Sequence, residues 1–82
     1  MKVWTVYIIQ TSTGRLYTGI TTDLERRFKA HQKQKGARFF HFADPEKIVY
    51  SEIQPNRSEA SKREAVIKKL KRKDKLLLIE SS

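Results

Sequence analysis

Apolar residues recur along the chain in two rhythms, and the change of rhythm marks the elements. From Val3 to Gln10 the sequence reads VWTVYIIQ, rich in β-branched and aromatic side chains, as in a strand with both faces at least partly covered. Thr11-Ser12-Thr13-Gly14 is turn chemistry, with Gly14 free to take a positive φ. Arg15 to Ile20 (RLYTGI) resumes the strand pattern, so the first 20 residues predict a β-hairpin. Gly19 inside the second arm points to a bulge or a close backbone approach.

The rhythm then becomes helical. Thr22-Asp23-Leu24-Glu25 matches a capping box, with Thr22 as N-cap and Glu25 reaching back. The helix it opens is expected to run to about Gln34, with Gly36 as a natural stop. Residues 36–46 (GARFFHFADPE) mix Gly, Pro and Asp with three Phe and read as an ordered loop. Lys47 to Ile53 (KIVYSEI) is a third short strand, broken by Gln54-Pro55-Asn56. From Ser58 onward the pattern is helical again, with Ala60, Ile67 and Leu70 on one stripe. Asp74 is placed to cap a last short helix carrying Leu76 to Ile79. The order ββαβαα describes an α+β fold: a small three-stranded antiparallel sheet flanked by helices, in one domain over residues 1–82.

Composition narrows this further. With 82 residues the chain holds one core, and a domain so small buries only about 60% of the surface its unfolded chain exposes. Cysteine is absent, so any metal needs oxygen or imidazole ligands. No run of about 18 apolar residues is available to cross a membrane, and the amino terminus lacks the pattern of a cleaved leader. A cytoplasmic protein without a membrane partner is expected. Lys and Arg number 18 against 9 Asp and Glu, a formal net charge of +9. That excess creates a positive field over much of a small surface, and nucleic acid is the natural partner.

Several ionisable residues fall on stripes meant for the core. Stepping about 100° per residue from Leu24, Phe28 lies about 40° to one side and His31 about 20° to the other, with Arg27 about 60° from Leu24 on the His31 side. Arg27 and His31 thus share the inward or boundary face, while Arg26 and Lys29 point to water. Packing alone accounts for them if Arg27 snorkels along apolar surface and His31 is a satisfied, half-buried histidine. On the second helix Glu64 lies about 40° from Ala60, on the shoulder of the apolar stripe. A carboxylate there needs a partner, either one of the neighbouring Lys or Arg side chains or a metal. Tyr7 and Tyr17 stand on the two arms of the hairpin, but a slip of one residue in register would separate them onto opposite faces.

Taken together, Thr5-Val6-Tyr7, Tyr17-Thr18-Gly19, the stretch Tyr17 to His31 (YTGITTDLERRFKAH) and Ala60-Ser61-Lys62-Arg63-Glu64 resemble the GIY-YIG nucleases, particularly their short stand-alone members. The first signature triplet keeps its tyrosine and loses its glycine; the second keeps both ends. The resemblance covers nearly the whole chain and implies a phosphodiester hydrolase acting on DNA. It places Arg27 at the catalytic arginine, His31 at a histidine found in many members, and Glu64 at the metal-binding glutamate. Ile20 stands where several members have lysine, and the asparagine that some carry beyond the metal glutamate has no counterpart, since Asn56 precedes Glu64.

The chemistry suits these residue types. Mg²⁺ (or Mn²⁺) held by one carboxylate polarises a phosphate and supports its leaving oxygen. Arg27 offers a planar fork of donors for phosphate. The resemblance implies that Tyr7 or Tyr17 takes the proton of the attacking water while the other orients it, with His31 relaying the proton or holding phosphate. Arg26, Lys29, Lys33, Lys35 and Arg38, together with the run from Lys68 through Lys71 to Lys75, are expected to contact phosphates without reading sequence. Phe39, Phe40 and Phe42 either stack on unpaired bases or pack under their loop. A lone small domain favours shape over sequence: branched, nicked or single-stranded DNA. The competing reading is a module of the same fold that grips DNA or RNA without cutting it.

Overall fold

The structure, a computed structural model, describes residues 3–34 and 44–81. Strand β1 (Trp4–Thr11) and β2 (Leu16–Thr21) form the expected hairpin, followed by α1 (Leu24–Gln34), β3 (Pro45–Gln54), α2 (Arg57–Lys69) and α3 (Arg72–Glu80). The strands form one antiparallel sheet in the order β2-β1-β3. β1 is central because it alone is apolar on both faces. Val6 and Ile8 face Ala60 and Ile67 of α2, all fully buried, with Leu78 and Ile79 of α3 packed at the margin. Tyr7 and Ile9 face the other way, onto Leu24 and Phe28 of α1. The sheet is thus covered by α1 on one face and by α2 with α3 on the other.

The hairpin turn closes through Thr11 N–H to Arg15 O and Gly14 N–H to Thr11 O, with Gly14 at φ 87°, the left-handed conformation that its missing Cβ permits. Arg57 at the start of α2 lies over the Trp4 ring, 5.7 Å from its centroid, and pins the helix to the mouth of β1.

Three boundary expectations are corrected. The first helix is capped by Asp23 instead of Thr22: Asp23 Oδ1 accepts from the Arg26 N–H at 3.1 Å, and Asp23 O accepts from the Arg27 N–H. Thr21 Oγ1 in turn accepts from the Asp23 N–H, which fixes Asp23 in the capping place, and Glu25 pairs with Lys29 rather than reaching back. The third strand begins at Pro45, earlier than Lys47, because Pro45 and Lys47 still pair with Thr11 and Gln10 across a register shift. The last helix begins at Arg72 with Lys71 in the cap position and no side-chain cap; Asp74 lies inside the first turn, where its charge favours the helix dipole.

Candidate active site

The pairing of β1 with β2 runs without interruption from Thr5 opposite Thr21 to Gln10 opposite Leu16. Gly19 is therefore no bulge; it is a close approach. It sits opposite Tyr7, and a Cβ added there would lie 2.6 Å from the Tyr7 Oη and 2.7 Å from Cζ. The missing side chain lets the Tyr7 ring lie flat across the neighbouring strand. The same register puts Tyr17, two residues before Gly19, on the Tyr7 face. The two ring centroids are 6.3 Å apart.

Helix α1 brings His31 to this pair. Its spacing from Leu24 and Phe28 turns the imidazole onto the sheet, where it is 4% exposed. Nε2 lies 3.2 Å from the Tyr7 Oη, and the ring meets Tyr17 edge-on at 5.6 Å. In the tautomer protonated at Nδ1, Nε2 accepts from the Tyr7 hydroxyl. Burial, and next the charge of Arg27, push the His31 pKa below its ordinary value, so the imidazole is neutral at pH 7. Burial also pushes the Tyr7 hydroxyl far above the ordinary tyrosine range, helped by Tyr17 and Glu64 and opposed by Arg27. Both partners are held uncharged at neutral pH.

Arg27 is exposed, not tucked along apolar surface as its position on the helical wheel suggests. Sixty degrees from the stripe is beyond the cover that the sheet provides. The guanidinium stem lines a shallow cleft with Thr21, Thr22, Asp23, Arg26 and Ala30, one helical turn from His31. Its charge acts on both Tyr7 and His31. Glu64 is half-buried on α2, its carboxylate 3.3 Å from the Lys68 Nζ, and its charge reaches Tyr7. Tyr7, Tyr17 and His31 are thus in contact, with Arg27 and Glu64 within electrostatic range.

Among the described residues no three His, Cys, Asp or Glu side chains come together. A lone, partly exposed carboxylate does fit a hard cation that keeps most of its shell as water and phosphate oxygen, as Mg²⁺ does.

Of the residues expected to contact phosphate, Arg26, Lys29 and Lys33 line the outer side of α1 with Asp23 and Glu25. Lys29 shares its charge with Glu25 at 3.3 Å, and Lys68 is committed to Glu64. Lys71 is exposed at the start of α3. Lys35, Arg38, Phe39, Phe40 and Phe42 lie outside the described residues.

One polar cluster has no counterpart in the sequence reading. Glu52 accepts from the Tyr50 hydroxyl at 2.6 Å, from Gln54 Nε2 at 2.6 Å, and from Arg63 Nε at 2.9 and 3.1 Å. Burial alone raises the Glu52 pKa, but these donors and the Arg63 charge outweigh it and hold the carboxyl below its ordinary value. The clamp ties β3 to α2 one residue before Glu64. The signal available in the sequence was the alternation of Tyr50, Glu52 and Gln54 on a single strand face.

The family model for the GIY-YIG catalytic domain matches residues 3–77. A UPF0213 protein of Desulfotalea psychrophila is 48% identical over 80 residues, covering 96% of this chain and 73% of that protein. A UPF0213 protein of Pseudomonas aeruginosa is 41% identical over 78 residues, covering 95% and 75%. The solution NMR structure of a UPF0213 protein from Bacillus halodurans superposes with a TM-score of 0.64 at 35% identity, covering 98% of this chain and 85% of that one. Among the described residues, no helix is long and apolar enough to cross a membrane.

Proposed function

Because the chain belongs to the GIY-YIG catalytic domain family, whose members carry out nuclease-type, metal-dependent chemistry on nucleic acid, we propose that it hydrolyses phosphodiester bonds in DNA and selects branched, nicked or single-stranded forms by shape. The observation that carries this reading is the Tyr7–His31 contact of 3.2 Å, flanked by the charges of Arg27 and Glu64.

Glu64 would hold Mg²⁺ (or Mn²⁺), which supplies polarisation of the phosphate and neutralises the leaving oxygen. The remaining work falls to the chain itself. Arg27 is exposed at the rim, where its guanidinium can fork onto two phosphate oxygens. Tyr7 accepts the proton of the attacking water as its own proton passes to His31 Nε2. Neutral Tyr7 and neutral His31 become neutral Tyr7 and imidazolium, so a free phenolate, which burial disfavours, need not form. The imidazolium charge is offset by the negative phosphate being attacked. Tyr17, edge-on to His31 and less buried than Tyr7, orients the water. Arg26, Lys29, Lys33 and Lys71 add phosphate contacts without sequence readout.

The Lys68–Glu64 pair favours a second reading, a binding module of the same fold, since a carboxylate neutralised internally needs no metal. The two readings separate in a gel assay of supercoiled plasmid, branched and single-stranded DNA with Mg²⁺ or EDTA, beside Glu64→Ala. Cleavage that requires both Mg²⁺ and Glu64, with DNA binding retained by the variant, is the expected result. Retarded bands with no cleavage under any divalent metal would establish the binding module instead.

A further inference from the structure

Beside the tyrosine–histidine cluster, the α1 face of the sheet is only half covered. Leu24 and Phe28 of α1 rest on Tyr7, Ile9 and Tyr17, which belong to β1 and β2. The row on β3 is left open. Ser51 pairs with Tyr7 and Ile53 with Thr5, so both side chains point to the Tyr7 face, and both are exposed. The Tyr7 ring adds no cover, because it leans away from β3 and over Gly19 of β2.

An exposed isoleucine is ordinary by itself. Ile53 differs in its support, its surroundings and its place. It is 70% exposed, more than any other large apolar side chain of the described residues. Its neighbours along the strand, Glu52 and Gln54, are bonded to each other, and Glu52 to Arg63, on the opposite face. The backbone that carries Ile53 is therefore tied to α2. The residues around it on its own face are Thr5, Ser51 and, across β1, Thr21. None is charged, in a chain with 18 Lys and Arg. A strip without cations is no place for a phosphate and fits the uncharged part of a nucleotide. Two strand spacings, about 10 Å, separate Ile53 from Thr21, which lines the cleft of Arg27. A phosphate on Arg27 thus leaves a neighbouring base within reach of Ile53.

Inside a duplex both faces of a base are stacked, whereas an unpaired base offers a free face to a side chain. Aliphatic side chains, isoleucine among them, pack against bases once stacking is broken. Resting on the nucleic-acid reading above, we infer that Ile53 packs against the free face of an unpaired base beside the phosphate held at Arg27, and so selects unpaired over fully paired strands. Ile53 touches substrate away from the reacting atoms and takes no part in bond cleavage.

The test compares Ile53→Ser with Leu77→Ser, which removes an apolar side chain 54% exposed on α3. Binding of a single-stranded oligonucleotide, of the same strand carrying abasic sites and of a blunt duplex is measured without divalent metal, so the outcome does not depend on whether the chain cuts. Ile53→Ser is expected to weaken binding of the single strand about 5-fold and of the other two less than about 2-fold. Its salt dependence should match wild type, because no phosphate contact is lost. Leu77→Ser should leave all three within about 2-fold of wild type, the scatter of a surface change outside the site. Ile53→Trp is expected to tighten the single strand about 5-fold by offering a larger stacking surface, a gain that a damaged fold cannot mimic. Equal losses on all three ligands, or no loss in Ile53→Ser, would overturn the inference. A wild-type dimer in sedimentation that Ile53→Ser dissociates, with binding unaltered, would overturn it in favour of a second copy of the chain on this face. Failure of the wild-type chain to bind any of the three would overturn the nucleic-acid reading itself, and this inference with it.

Discussion

On the α2 face of the sheet Glu52 is held ionised by three donors; on the α1 face Tyr7 and His31 are held neutral by burial. Both clusters are polar, partly or wholly enclosed and pinned between a strand and a helix, yet their electrostatics run in opposite senses. Hydrogen bonds and the Arg63 charge keep the Glu52 carboxyl below its ordinary range. Tyr7 is pushed up and His31 down. A cluster whose lone pairs are already filled stabilises the fold and leaves nothing for a substrate. A cluster whose members are kept from their charged forms is poised to exchange a proton once an ion or phosphate changes the local field. On the function proposed above, the first cluster holds the fold and the second carries the chemistry.

The harshest way to break the comparison is Gly19→Ala. The new methyl would overlap the Tyr7 ring in a filled site, at a cost of about 3 kcal/mol, and displacing Tyr7 should remove cleavage as well. Thermal unfolding and a nicking assay read both; a fully active variant of wild-type stability would show that Tyr7 is not held as described. Glu52→Ala should cost about 2 kcal/mol in denaturant unfolding, since it strands Arg63 and two neutral donors. Its cleavage rate, measured well below the unfolding midpoint, should stay within a few-fold of wild type.

Acid sharpens the contrast. The unfolded chain takes up a proton at His31 before the folded one does, because the folded pKa is lowered. Stability should therefore fall as pH drops below about 6.5, the ordinary histidine value, until the folded group also titrates. Glu52 follows later: its contribution is present above its ordinary value of 4.5 and is lost as pH falls from there through the lowered folded value. His31→Gln should flatten the first step and leave the second, as followed by urea midpoints across pH.

Thr18 tests the same logic in miniature. Its hydroxyl is buried on the packing face without a hydrogen-bond partner among the described residues, so Thr18→Val should stabilise by about 1 kcal/mol and leave the cleavage rate untouched. The smallest effect is expected from Glu25→Gln. It frees Lys29 from an exposed pair worth under about 0.5 kcal/mol and should raise DNA affinity slightly, an effect that vanishes at high salt.

Much of this was legible along the chain because it depends on local order. The two-sided apolar run from Val6 to Ile9 made β1 central, and the spacing of Leu24, Phe28 and His31 turned the histidine inward. The tyrosine pair was legible only as residues. That Tyr7 and Tyr17 share a face depends on the hairpin register, which the turn from Thr11 to Arg15 decides in space. Thr22 and Asp23 are both good caps, and Thr21 chose between them through its hydrogen bond to Asp23. Arg27 shows that a helical wheel gives direction without depth. The Glu52–Arg63 clamp joins residues 11 apart in sequence and exists only once α2 lies against β3.

The most direct test of the account removes one hydroxyl from each cluster and asks which loss is felt where. Tyr7→Phe and Tyr50→Phe are compared for Mg²⁺-dependent cleavage rate and for melting temperature. The account predicts that Tyr7→Phe loses about 10²-fold or more in rate with its melting temperature kept or raised, while Tyr50→Phe melts several degrees lower and cuts at near the wild-type rate. Cleavage that survives in Tyr7→Phe, or that disappears in Tyr50→Phe, would contradict the assignment of chemistry to the α1 face.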